Sequence, residues 1–204
     1  MSDLGNVVAG FKTQRYTDCY ADIPSVRRHL NGDREAAEGL EEKIRDVHRR
    51  VEIGLLTEPE FRREISCCLG LRRTISWKEM YRRFYGIFTL NEPIRYLWER
   101  LRRSGLVLVA VSNVCPGQEE GMRRIGALAP FDHLVMSYRE GIVKPSTELM
   151  VRALDRAGAA AEEAVFIDDT EKNLDPAIEL GIRTHCFRGF TGLLAFLVDC
   201  GLVS

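Results

Sequence analysis

Two unbroken apolar runs stand out in a chain that otherwise alternates between apolar and polar positions. Residues 106–111 read Leu-Val-Leu-Val-Ala-Val, and residues 164–167 read Ala-Val-Phe-Ile before breaking into Asp168-Asp169. Runs this short, rich in β-branched residues, predict parallel strands buried on both faces. Shorter strands are predicted over residues 133–136 and 183–187. Helical spacing is predicted over residues 93–103, 116–125, 147–157, 171–180 and 193–198, with Gly181 as a C-cap. Strands that alternate with helices imply an α/β fold, a parallel sheet covered by helices on both sides.

Between residues 13 and 88 the strand signal vanishes. Residues 33–51 carry the spacing of an amphipathic helix. Thr57-Glu58-Pro59-Glu60 reads as a capping box with Pro in the first turn, and Ser76-Trp77-Lys78-Glu79 opens another helix. The organisation expected is a core of residues 1–12 and 89–204 with an all-helical cap of residues 13–88 inserted in it. Trp77, Tyr81, Phe84, Tyr85 and Phe88 are expected in the cap core.

Composition narrows the partners. The 204 residues are 45% hydrophobic and 29% charged with net charge −1, an ordinary balance that recommends neither nucleic acid nor an anionic membrane. No apolar run approaches a membrane span, and no signal peptide precedes the first motif. The expected location is therefore cytoplasmic. The six cysteines show no CxxC spacing and are expected to be reduced thiols. Paired arginines recur with acids nearby, which predicts solvated, salt-bridged helix faces.

Candidate chemistry gathers where strands end. Adjacent carboxylates repel and resist burial, so Asp168-Asp169 at a strand terminus invites a cation. The first strong run ends at Ser112-Asn113, where a hydroxyl and backbone N–H groups could seat a phosphate. Asp3 lies beside Gly5 and Asn6. Lys144 precedes Pro145 and is one of only five lysines. Each has a plainer reading alone: a helix start, a Ser N-cap, a turn, a solvated loop lysine.

Taken together, Asp3 in DLGNVV, Ser112 in VAVSN, Lys144 in GIVKP and Asp168-Asp169 in FIDDTEKNLDPAIELG resemble the haloacid dehalogenase superfamily in order and spacing. The DLGNV form is most similar to a phosphatase branch that includes glucose-1-phosphate phosphatases. The resemblance implies a Rossmann-like strand order, an Asp3 nucleophile that forms an aspartyl-phosphate, and Mg²⁺ held by Asp3, the Gly5 carbonyl, Asp168 and Asp169. It further implies phosphoryl binding by Ser112, the Asn113 N–H and Lys144, with Lys144 also keeping Asp3 ionised. A small phosphorylated metabolite is the implied substrate. Asn173 is a weaker candidate, better read as helix decoration.

Two features depart from the family. Only Met1 and Ser2 precede Asp3, so the first strand is expected to be short, or its start clipped. Gly5 stands where most phosphatases of the family carry a second Asp as general acid and base. Slow turnover favouring easily expelled phosphates is therefore expected, since that help is typically worth ~10²–10⁴-fold. The alternatives are a metal-independent 2-haloacid dehalogenase and a non-catalytic binding protein of the same fold. The acidic pair argues against the dehalogenase.

Overall fold

The structure is a computed structural model that describes residues 1–10, 15–32 and 34–203. Two strands of two residues, β1 (Ala9–Gly10) and β2 (Thr89–Leu90), pair antiparallel where the chain leaves for the helical insert and where it returns. The insert holds α1 (Pro24–Leu30), α2 (Arg34–Glu52), α3 (Glu58–Cys68) and α4 (Trp77–Met80), which runs on into a π-turn over Tyr81–Tyr85. The capping box at the start of α3 forms as expected: the Thr57 N–H donates to Glu60 Oε2 at 2.9 Å. Ser76 Oγ likewise accepts from the Glu79 N–H at 3.2 Å. Asp33, expected to open the long helix, lies outside the described residues.

The insert buries its own apolar faces. Ile44, Val47 and Val51 of α2 meet Phe61 and Ile65 of α3, with Tyr20, Phe84 and Tyr85 between them. His48 sits in the same cluster, stacked on Tyr16 at 4.1 Å and edge-on to Phe84 at 4.4 Å. Of the aromatics expected there, Trp77 and Tyr81 pack at the margin of this cluster. Phe88 joins the α/β core instead.

From α5 (Glu92–Arg103) onward the chain alternates as read: β3 (Val109–Ser112), α6 (Pro116–Arg124), β4 (His133–Met136), α7 (Ser137–Glu140), α8 (Thr147–Ala157), β5 (Val165–Asp168), α9 (Asp175–Glu179), β6 (Arg183–Cys186) and α10 (Phe190–Asp199). Strands β3 and β4 pair in parallel, as do β5 and β6. Residues 1–3 lie between β3 and β5. The Ser2 N–H donates to the Val109 carbonyl at 2.9 Å, and the Asp3 N–H donates to the Ile167 carbonyl at 2.8 Å. The sheet order is thus β4, β3, the N-terminal segment, β5, β6, all parallel.

Three expectations shift. Strand β3 begins at Val109 rather than residue 106: the Leu106 N–H turns back to the Leu101 carbonyl at 3.3 Å, and the Leu108 N–H donates to the Asp132 side chain at 3.0 Å rather than to a strand. The helix expected over residues 171–180 breaks into a 3₁₀ turn (Glu171–Asn173) and α9. Pro176, in the first turn of α9, lacks the N–H that a continuous helix would bond back to the preceding turn, and it fits a helix start instead. The two-residue strands and α7 were not legible at all.

The six cysteines are free, as expected. The arginine pairs largely line helix faces in ion pairs, among them Arg50–Glu64, Arg62–Glu58 and Arg124–Glu120. Among the described residues no helix is long and apolar enough to cross a membrane.

Candidate active site

Asp3 ends the central segment, Ser112 ends β3, and Asp168 ends β5, so three parallel strands deliver their last residues to one rim of the sheet. Ligands bind at that rim in open α/β sheets. Lys144 comes from the loop between α7 and α8, through a cis peptide to Pro145. Its ammonium lies 2.8 Å from Asp3 Oδ1 and 2.6 Å from Asp168 Oδ2, with 2% of the side chain exposed. Asp3, Lys144 and Asp168, scattered over the chain, therefore meet at ion-pair distance.

Asn113 fixes the lysine. Its Oδ1 accepts from the Lys144 N–H at 2.7 Å, and its Nδ2 donates to the Lys144 carbonyl at 3.0 Å. The Asn113 side chain is thus occupied in holding Lys144. Asp168 is held as well as buried: Oδ2 accepts from Lys144, while Oδ1 accepts from the Thr170 N–H at 2.8 Å and Asn173 Nδ2 at 3.0 Å. Asn173 is therefore no helix decoration. It holds one oxygen of the buried acid from the 3₁₀ turn that Pro176 ends.

Asp169 faces the cavity, and Asn6 Nδ2 donates to its Oδ2 at 3.0 Å. The backbone of Asn6 is left-handed, φ 52°, a conformation Asn tolerates better than most residues. That turn brings Asn6 to the acidic pair and leaves the Gly5 carbonyl beside Asp3, accepting from the Val7 N–H at 2.7 Å.

Electrostatically the site is tense. Burial pushes the Asp3 carboxyl above its ordinary range, with the Asp168 charge adding to the push, while Lys144 pulls it back. Burial lowers the Lys144 ammonium, but Asp3 and Asp168 outweigh it, and the lysine ends above its usual value. Oxygen atoms of Asp3, Asp168 and Asp169 lie within 4.8 Å of one another. One ammonium cannot balance three clustered carboxylates. An all-oxygen set with excess negative charge suits a hard divalent cation.

The site opens into a cavity of about 320 Å³. Core residues line its floor, including Asp3, Ser112, Lys144 and Asp169, while Arg15, Tyr16 and Glu52 reach it from the insert. Gln118, which caps α6 by accepting the Cys115 N–H at 2.9 Å, also lines it. These contributions from the insert went unnoticed in the sequence. Nothing in the helical period of α2 marks its last residue as facing a cavity.

The geometry agrees with comparison to known proteins. Residues 3–181 match the family described as haloacid dehalogenase-like hydrolase. The chain belongs to that family. It superposes on a haloacid dehalogenase family enzyme of Bacteroides thetaiotaomicron with a TM-score of 0.79, at 22% identity over 96% of each chain. The same Bacteroides enzyme has been solved in complex with magnesium and inorganic phosphate, and that form aligns at 24% identity over 90% of each chain, TM-score 0.73. In sequence, glyceraldehyde 3-phosphate phosphatase of Methanocaldococcus jannaschii is 36% identical over 86 residues, 41% of this chain and 38% of that protein. Bifunctional epoxide hydrolase 2 of Rattus norvegicus is 25% identical over 128 residues, 60% of this chain. That match spans only 23% of the rat enzyme.

Proposed function

We propose that the protein is a Mg²⁺-dependent hydrolase that removes phosphate from a small phosphorylated metabolite through a covalent intermediate on Asp3. The observation that carries this reading is Lys144 bridging Asp3 and Asp168 on the floor of a cavity. The similarity to a glyceraldehyde 3-phosphate phosphatase and the magnesium–phosphate complex of the Bacteroides relative point the same way.

Asp3 attacks phosphorus in line with the leaving oxygen. The P–O bond to the metabolite breaks, and water later hydrolyses the aspartyl-phosphate. Lys144 keeps the Asp3 oxygens ionised and aimed, against the burial that favours their protonation. The Ser112 hydroxyl and the Asn113 N–H meet the phosphoryl oxygens at the end of β3. Asp3, the Gly5 carbonyl and Asp169 would hold the ion. Asp168, held by Lys144, Thr170 and Asn173, keeps an acceptor site on Oδ2 and would join them. Mg²⁺ held there would supply positive charge to offset the charge that gathers on the phosphoryl group during transfer.

Gly5 leaves the core without the proton donor usual beside the nucleophile, so phosphates with readily expelled leaving groups are the favoured substrates. A cavity of about 320 Å³ admits a sugar phosphate or a molecule of similar size. The test is phosphate release across sugar phosphates, anomeric ones included, nucleotides and acyl phosphates, with and without Mg²⁺. Release that needs Mg²⁺ and vanishes in Asp3→Asn supports the proposal. Halide release from 2-haloacids without Mg²⁺, or phosphatase activity that survives Asp3→Asn, overturns it.

A further inference from the structure

Only three carboxyl groups line the cavity among the described residues: Asp3, Asp169 and Glu52. The first two belong to the nucleophile and the acidic cluster. Glu52 is the last residue of α2 and reaches the cavity from the insert. An in-line displacement places the leaving oxygen on the far side of phosphorus from the nucleophile. With Asp3 at the sheet rim, the leaving group points away from the sheet, toward the residues that the insert contributes.

We propose that Glu52 is the proton donor to the leaving oxygen, supplying from the insert what Gly5 omits beside the nucleophile. This rests on the phosphatase reading above and names a further catalytic residue for it. As Asp3 Oδ attacks, the bond from phosphorus to the leaving oxygen breaks and that oxygen takes the Glu52 carboxyl proton. The water that next attacks the aspartyl-phosphate gives its proton to the Glu52 carboxylate, the phosphorus–Asp3 bond breaks, and both side chains return to their starting states.

Local structure holds Glu52 for this task. Glu41, one face along the same helix, accepts from the Tyr16 N–H at 3.2 Å and the Thr17 N–H at 2.9 Å. That pins Tyr16 against α2, where its hydroxyl donates to Glu52 Oε1 over 3.5 Å. No Lys or Arg ion pair reaches Glu52 among the described residues, in contrast to Glu41, which Arg45 approaches at 3.4 Å. Burial lifts the Glu52 carboxyl to about 7, with Tyr16 pulling slightly down, so it can both hold and release a proton near neutrality.

The other titratable groups around it are poor donors. Burial pushes the Tyr16 phenol far up, and it pushes the Cys115 thiol to about 12, with the Glu52 charge adding to both. His48, one turn back on α2, is held neutral by burial. Arg15 lines the same cavity as a permanent cation, while Asp3, Lys144 and Asp169 face it from the floor.

A leaving-group comparison tests this with the full chain and Mg²⁺. Wild type and Glu52→Gln are assayed on 4-nitrophenyl phosphate, whose leaving group needs no proton, and on phenyl phosphate, whose leaving group does. In kcat/KM, which reports the attack on phosphorus but not the later hydrolysis, Glu52→Gln is expected to lose at least ~10²-fold more on phenyl phosphate than on 4-nitrophenyl phosphate, while kcat falls on both because the hydrolysis loses its base. The fall in kcat/KM on the alkaline side is expected to disappear with it. Glu52→Asp, which keeps the acid on a shorter stem, is expected to retain that alkaline limb. Equal losses of kcat/KM on both esters, no loss on either, or an alkaline limb that persists in Glu52→Gln overturns the assignment and leaves the phosphatase reading intact. Wild-type protein that releases phosphate from neither ester overturns both.

Discussion

Lys144→Met removes the charge at the centre of the site, and with it the ammonium 5.8 Å from the centroid of the Phe166 ring, while keeping a side chain of similar length. Asp3 and Asp168 are 7% and 0% exposed, so water cannot replace the lost ion pairs at 2.8 and 2.6 Å. Removing one partner of a buried charge cluster typically costs ~3–5 kcal/mol, because the remaining charges are left uncompensated. For a chain of this size that corresponds to a fall in Tm of roughly 6–20 °C. Three carboxylates then stand with no ammonium among them, so a divalent cation becomes their best remaining partner. Ligand at a hundred times its Kd stabilises by about 2.7 kcal/mol. Thermal melts of wild type and variant across a Mg²⁺ series are the assay. The variant should be the less stable without Mg²⁺ and should gain more from it. A loss below about 1 kcal/mol, together with equal Mg²⁺ responses, would refute the reasoning, because it would mean that the charges are not coupled.

His48 gives the insert an acid-sensitive core. Burial lowers its pKa from 6.5 to about 3, so below pH 6.5 the unfolded chain takes up a proton that the folded chain does not. Stability from this group is complete above pH 6.5 and is lost by up to about 5 kcal/mol as pH falls toward 3. Denaturant unfolding of His48→Phe should show a shallower loss over that window, and an unchanged slope contradicts the burial argument. Gly121 of α6 lies against the Tyr85 carbonyl of the π-turn, where an added Cβ collides with backbone. Gly121→Ala should destabilise by about 3 kcal/mol in urea, since neither backbone can yield cheaply; a loss under 1 kcal/mol would show the contact to be loose. At Gly5, by contrast, an added Cβ would stand 3.6 Å from Asp3 Oδ2, an ordinary contact. Gly5→Asp placed on Glu52→Gln should therefore recover at least tenfold in phenyl phosphate turnover, and no recovery would mean that protonation is not what the Gln variant lacks.

What the chain disclosed beforehand follows the reach of local physics. Strands β3 and β5 and the helices α6 and α8 between them were legible because each buries a continuous face, and a buried face writes its period into the sequence. The candidates Ser112 and Asp168-Asp169 could be placed at strand ends because polar groups interrupt apolar runs there, whereas Asp3 and the loop residue Lys144 stood out through the ordered resemblance to the family. Asn173 was misjudged because its partner, Asp168, sits across a turn whose path Pro176 redirects, and side-chain periodicity carries no sign of that. The Asn113 N–H was read as a phosphate contact, but nothing in the sequence showed that the side chain of the same residue clamps the backbone of a residue 31 positions away. Arg15, Tyr16 and Glu52 stayed hidden for a related reason. Their place over the site depends on how the insert docks on the core, through contacts such as Tyr85 on Gly117 and Gly121. No spacing rule encodes that docking.

The route of the oxygen atom tests the central claim most directly. A single turnover in heavy-oxygen water, with excess protein over a phosphate ester it cleaves, separates the two ways an aspartate nucleophile can be regenerated. Attack of water on phosphorus delivers the heavy atom to inorganic phosphate and leaves Asp3 unlabelled, and this is the predicted result. Heavy oxygen in the Asp3 carboxylate, found by mass spectrometry of the digested protein, would mean attack at the carboxyl carbon and would contradict the phosphatase chemistry assigned to this site.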